Sequence, residues 1–153
     1  MINQNTKFWI LHGPGWTLVF YLIYAQAISV FNYDLGVSMG TQESTDVISD
    51  VGVAFWYGFA FGDLVIYTPL LIVGLLGHWV KKVWGNVLLS AALGITIYWP
   101  VVCLAAVVSA RNASGWNLTS EVPYWVVLPL IAFWGLWGLW YILINQADIN
   151  NIS

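Results

Sequence analysis

The chain has 153 residues, of which 60% are hydrophobic, 17% aromatic and 7% charged, and its mean hydropathy is +0.78. A water-facing globule needs about a quarter of its residues charged, so this composition excludes a soluble domain and an intrinsically disordered chain. A net charge of −3 without a basic cluster excludes a nucleic-acid partner, and Cys103, the one cysteine, excludes a disulfide scaffold.

Taken in chain order, Lys7 precedes a first apolar run at residues 13–33, which carries Gln26. Ala25-Gln26-Ala27 has the form of a signal-peptide cleavage site. Because the apolar character continues through Ile28-Ser29-Val30-Phe31, an uncleaved helix is the expectation. Residues 34–50 form a polar connection with Asp34, Glu43, Asp46 and Asp50 and no Lys or Arg. Its carboxylates lack the alternate-oxygen spacing and turn glycine of a calcium loop.

A second run, 51–80, is interrupted only by Asp63 and is followed by Lys81-Lys82. The third, 83–110, contains Thr96, Tyr98, Pro100 and Cys103. Arg111 and the sequons Asn112-Ala113-Ser114 and Asn117-Leu118-Thr119 lie in the last connection. The fourth run, 122–147, carries Pro129 and a Trp134, Trp137, Trp140, Tyr141 stripe beside Gly135 and Gly138, whose missing side chains permit another helix to come close.

Each run exceeds the roughly 20 residues that cross a bilayer as a helix, and none alternates like a barrel strand. The expected fold is therefore all-α: one integral-membrane domain over residues 1–153, a four-helix bundle with kinks at Pro69, Pro100 and Pro129. Three of the four cations fall on one side, which places both termini and the Lys81-Lys82 turn in the cytoplasm. The membrane would be a bacterial or archaeal cell membrane, or the endoplasmic reticulum in a eukaryote. Asp50 and Ser120-Glu121 are expected helix N-caps, and Trp9, Trp16, Trp56, Trp79, Trp84, Trp116 and Trp125 interfacial anchors.

Asp63 is the residue that needs an explanation. About ten residues into its helix at about 1.5 Å each, it lies about 15 Å deep, where an ionised carboxylate costs on the order of 3 kcal/mol. It is either protonated and hydrogen-bonded or paired with a cation, and no Lys or Arg of the chain shares its depth. The cation would then come from a ligand, an ion, a second copy or a partner membrane subunit. Tyr67, four residues on, is expected on the same helix face. Gln26, Thr96, Tyr98, Trp134 and Trp137 reach comparable depth and complete an expected ligand pocket, although each ring taken singly also fits simple packing. His12 and His78 fall at one end, where two histidines alone make a poor metal or haem site. No cofactor, metal or self-sufficient catalytic motif is read from the sequence.

The order of features resembles the EXPERA superfamily, which holds the sigma-2 receptor and the emopamil-binding sterol isomerase. The resemblance rests on Phe20-Tyr21-Leu22, Ile28-Ser29-Val30-Phe31 and Asp34-Leu35 in the first run, and on Gly62-Asp63-Leu64-Val65, Pro69 and Lys81-Lys82-Val83-Trp84 in and after the second. Tyr98-Trp99-Pro100, Pro123-Tyr124 and Leu128-Pro129 continue it. It implies a lateral cavity for sterols or hydrophobic amines, with Asp34 and Asp63 as paired pocket acids. Where the isomerases shuttle a proton with His and Glu, this chain has Asp63 and Tyr67, and a tyrosine is a poor base at neutral pH.

The expected function is therefore binding of a hydrophobic small molecule, sterol-like or a cationic amphiphile, at Asp63. The alternatives are proton transfer on a sterol or lipid by an isomerase using Asp63, and a small structural subunit of a membrane complex.

Overall fold

A computed structural model describes residues 3–150, with side chains through residue 144. All regular elements among the described residues are helical: α1 (Gln4–Leu22), α2 (Ile28–Phe31), α3 (Tyr33–Ser38), α4 (Thr45–Gly62), α5 (Thr68–Trp79), α6 (Val83–Ala110) and α7 (Val122–Asn150). A π-helical turn at Ile23–Ala27 joins α1 to α2, and a second at Asp63–Tyr67 joins α4 to α5. Four continuous stretches are long and apolar enough to cross a membrane: Gln4–Phe31, Thr45–Trp79, Val83–Ala110 and Val122–Ile144. They are called spans one to four below. The end that carries Lys7 and Lys81-Lys82 is the basic end, and the opposite one the acidic end.

The first two spans start earlier than the apolar runs because polar residues supply their first turns. Asn3 caps α1 by accepting from the Asn5 amide at 3.2 Å. Pro14, Pro100 and Pro129 lie inside α1, α6 and α7. In span two the backbone breaks at Ser49 (φ 63°, ψ 166°), a conformation that side chains rarely adopt. The Gly52 amide reaches the Ser49 hydroxyl at 3.4 Å, so Ser49 stands at the cap position and the expected cap Asp50 falls in the first turn beyond it. At span four Ser120 accepts from the Val122 amide at 3.3 Å.

The helices meet by close approach through small residues, which brings dispersion contacts into play. Spans two and three meet at the basic end through Gly77 and Gly85, where a Cβ on either would overlap the other's backbone. One turn away a Cβ on Gly74 would come within 2.7 Å of the Leu89 backbone. Around this contact lies the core of Leu11, Leu22, Leu71, Leu75, Leu89, Leu93 and Ile142, all essentially inaccessible. The expected close approach at Gly135 and Gly138 is made by helices of this chain: Gly135 faces Thr96 and Ile97, and Gly138 faces Leu11 and Leu93.

The acidic half is built differently. Beyond the second π turn α4 leaves span three and packs on α2 and the first π turn of span one. Two bonds tie the two connections over that end, and a third braces the first connection on itself. Asn117 donates its amide N–H to Val47 O at 2.7 Å and its side chain to Asp46 O at 3.1 Å, while Tyr33 donates to Glu43 O at 3.0 Å. The result is a bundle packed tightly in the basic half and splayed in the acidic half under a tied cap.

Candidate functional site

Asp63 opens the π turn of span two and Gln26 lies in the π turn of span one, and the Gln26 side chain donates to Asp63 Oδ2 at 3.1 Å. Gln42, in the connection at the acidic end, donates to Gln26 Oε1 at 3.3 Å. Gln26 gives its N–H to the carboxyl while Gln42 gives its own to the Gln26 carbonyl oxygen, a relay in which the two bonds polarise one another. π turns widen the helix by one residue and are found often at functional positions. Here the two turns face each other and present a carboxyl and an amide group as a pair.

The pair borders a cavity of about 330 Å³ in the acidic half of the bundle. Its walls are aromatic, with Tyr21, Trp56, Phe59, Trp99 and Tyr124, and its roof is the turn Gly40–Glu43. Glu43 is held over the cavity by Tyr124, whose hydroxyl donates to Glu43 Oε1 at 3.0 Å. Cys103, expected as an inert buried thiol, is 7% exposed and also borders it. Toward the basic end the cavity is stopped by the close-packed leucines of the core. Among the described residues the one ion pair is Arg111 with Glu121 at the acidic surface, so neither acid of the cavity has a cation of these residues beside it.

Tyr67 directs its hydroxyl to another partner. Its hydroxyl shares a 2.6 Å hydrogen bond with Thr96 Oγ1, and both residues are buried between spans two and three. In the π turn the backbone bonds run from i to i+5, as from the Thr68 amide to Asp63 O, so four residues fall a little short of a full turn where in an α-helix they slightly exceed it, and Asp63 and Tyr67 still border one apolar depression together. Asp63 bonds to span one and Tyr67 to span three. The Trp99 indole lies beside the Tyr67 phenol, and its N–H makes no well-aligned hydrogen bond.

The other expected pocket residues are distributed over the bundle. Tyr98 is exposed on span three, at an apolar depression that Asp63 also borders. Asp34 lines a separate niche with Tyr33, Asp50 and Tyr57, because the extended backbone of Asn32 (φ −155°, ψ 94°) ends span one and re-aims the chain before α3. Trp134 donates its indole N–H to Ile10 O at 2.9 Å and ties span four to span one in the basic half. Trp137 stacks on Tyr141 with centroids 5.5 Å apart. Glu43 and Gln42, which the sequence places in a solvated loop, are pocket residues instead. The signal that marks them is their position one helical connection away from Gln26, together with the Tyr124 phenol at the start of span four.

At the basic end His12 Nε2 and His78 Nδ1 are 2.9 Å apart and share a hydrogen bond within a cluster of Phe8, Trp9 and Trp79. The nitrogens face each other at bonding distance, which leaves no room for an ion between them in this arrangement. At the acidic surface Arg111 grips Glu121 through Nε at 2.7 Å and through a second guanidinium nitrogen, and the Trp125 indole donates to the same carboxylate at 3.0 Å. The guanidinium first and the indole second hold the Glu121 carboxyl down at about 2. Burial pushes the Tyr33 phenol up to about 12, with the Glu43 charge adding to it.

No family model, curated protein or solved structure matches this chain.

Proposed function

We propose that the protein is an integral membrane protein that binds a hydrophobic small molecule, a cationic amphiphile or a sterol-like compound with a hydrogen-bonding head, in the cavity bordered by Asp63. The observation that carries this reading is a carboxylate in mid-span, bonded to a relay of two amides, beside open aromatic-walled space and without a cation of the described residues. A charge in low dielectric is worth retaining when a partner of opposite sign completes it. Glu43 in the roof adds a second acceptor, which favours an amine or ammonium head over a neutral one.

The resemblance to EXPERA proteins supports the same reading, with Glu43 in the place that the paired acids would give to Asp34. Lys7, Lys81 and Lys82 at the basic end orient that end to the cytoplasm, so that the cavity lies in the outer half of the bundle. Pro100 and Pro129 would bend spans three and four and help to keep the acidic half open. Proton-transfer chemistry has less support, because the Tyr67 hydroxyl is already engaged with Thr96.

Trp56 and Trp99 line the cavity and supply a readout. Quenching of intrinsic fluorescence by a brominated long-chain alkylamine, in lipid nanodiscs, should saturate in the wild type. In Asp63→Asn the affinity should fall tenfold or more, the scale of about 1.5–3 kcal/mol for a hydrogen bond to a charged group. Equal affinity in both proteins would refute the role given to Asp63.

A further inference from the structure

Asp63, Phe59 and Trp99 border two spaces at once. One is the cavity already described. The other is a depression of about 820 Å³ on the outer side of spans two and three, bordered by Val51, Phe55, Gly58, Ile66 and Tyr98. Its origin is the divergence of these two spans. They are clamped by Gly77 against Gly85 in the basic half, and beyond the π turn α4 follows span one instead of span three. Gly58 and Gly62 both border this gap, and a Cβ on either would meet no atom within 4 Å.

From Val51 to Asp63 the depression runs along one helix for twelve residues, about 18 Å at about 1.5 Å each. That is more than half of a hydrocarbon core about 30 Å thick. Along α4 the small residues Ala54, Gly58 and Gly62 border it one turn apart, and its rims include the exposed Phe55, Ile66 and Tyr98. A groove of this shape beside lipid accommodates one hydrocarbon chain, and it ends on a carboxylate. The chemistry that satisfies both parts is a chain with a small amine head directly at its end.

We infer that the ligand of the Asp63 cavity is a single-chain amphiphilic amine that enters sideways from the leaflet at the acidic end, its head between Asp63 and Glu43 and its chain in the groove between spans two and three. This rests on the function proposed above and adds to it the ligand's shape and its route. Phe59 and Trp99, shared by both spaces, form the passage between head and chain. Access from the basic end is closed by the buried Tyr67–Thr96 bond and the leucine core.

The test uses a long-chain alkylamine with a photoactivatable diazirine near the chain end, in phosphatidylcholine vesicles with the full-length protein. Wild type, Asp63→Asn, Gly58→Leu and Gly58→Ala are compared, with crosslinked peptides mapped by mass spectrometry and with butylamine as a head-only competitor. Crosslinks are expected on residues 51–66 and 95–98. They should drop at least fivefold in Gly58→Leu, which fills the groove, persist in Gly58→Ala, and vanish in Asp63→Asn. Butylamine should still quench or shift the Trp fluorescence of Gly58→Leu, which also shows that this variant is folded. Asp63-dependent labelling that falls on other faces, or that Gly58→Leu leaves unchanged, overturns the groove while leaving the Asp63 site standing. Groove labelling that is the same in Asp63→Asn marks bulk lipid or a neighbouring copy and overturns the inference, and with fluorescence unchanged by any amine the underlying function falls too.

Discussion

The Gln26 side-chain amide donates to Asp63 across 3.1 Å, and each of the two residues sits in a π-helical turn of its own span. The bond joins spans one and two where polar groups are costliest, so its two ends should be energetically coupled. Gln26→Leu and Asp63→Asn are each expected to lower the thermal midpoint of the detergent-solubilised protein. The double variant should lose less than the sum, by a coupling of about 0.5–3 kcal/mol. Strict additivity in this cycle would contradict a direct bond.

Glycines of the bundle divide into two kinds. At Gly77 and Gly85 an added methyl group overlaps backbone, and spans two and three must separate to admit it. Gly77→Ala and Gly85→Ala should each cost about 1–3 kcal/mol or more. Gly58→Ala and Gly62→Ala meet open space and should be neutral or stabilise by about 0.5–1 kcal/mol through helix propensity. Unfolding of the four variants under one protocol checks the ranking.

Tyr67→Phe removes one partner of a buried hydroxyl pair, while Thr96 keeps its 2.8 Å bond to Ala92 O. The expected loss is about 1–3 kcal/mol of stability with amine affinity within twofold of the wild type. A loss of binding equal to that of Asp63→Asn would place Tyr67 in the ligand site after all.

The Glu121 carboxyl, held at about 2 by Arg111 and Trp125 and ordinarily near 4.5, titrates lower in the folded chain than in the unfolded one. Its contribution to stability is present above pH 4.5 and is lost as pH falls toward 2. Glu121→Gln should therefore flatten the acid limb of the stability profile in that window. Both groups lie at the surface, so the effect should be small and should shrink further in high salt. An acid limb identical in the two proteins at low ionic strength would show that the grip on Glu121 does not persist in solution.

Asn112 and Asn117 are both exposed, but Asn117 commits its side chain to Asp46 O and its backbone N–H to Val47 O. If the chain is expressed in a eukaryotic cell with the acidic end lumenal, a glycan should be added at Asn112 and not at Asn117. A mobility shift abolished by Asn112→Gln and kept in Asn117→Gln is the expected result, and it also reads the orientation. No glycan on either variant or on the wild type would argue for the opposite orientation.

Much of this architecture was legible in the sequence because lipid demands it. Charge spacing alone separates the four spans, and Asp63 stands out because a carboxyl inside an apolar run has no cheap explanation. Gln26 follows from depth counting. The rest depended on tertiary partners and on a break in the helix. The Tyr67 hydroxyl is taken up by Thr96, and the Asn32 break carries Asp34 into a different niche. Glu43 and Gln42 lie in a polar connection that periodicity reads as solvated, and tertiary bonds to Tyr124 and Gln26 bring them over the cavity. The splaying of spans two and three follows from where the glycines find partners, which no local pattern records.

The central claim is that Asp63 anchors a small hydrophobic molecule inside the bundle, and native mass spectrometry of the purified protein tests it most directly. Wild type released gently from detergent should carry a bound small molecule whose mass is absent from Asp63→Asn. Spectra in which both proteins appear as the bare chain, or in which a partner protein is retained in place of a small molecule, would contradict the account.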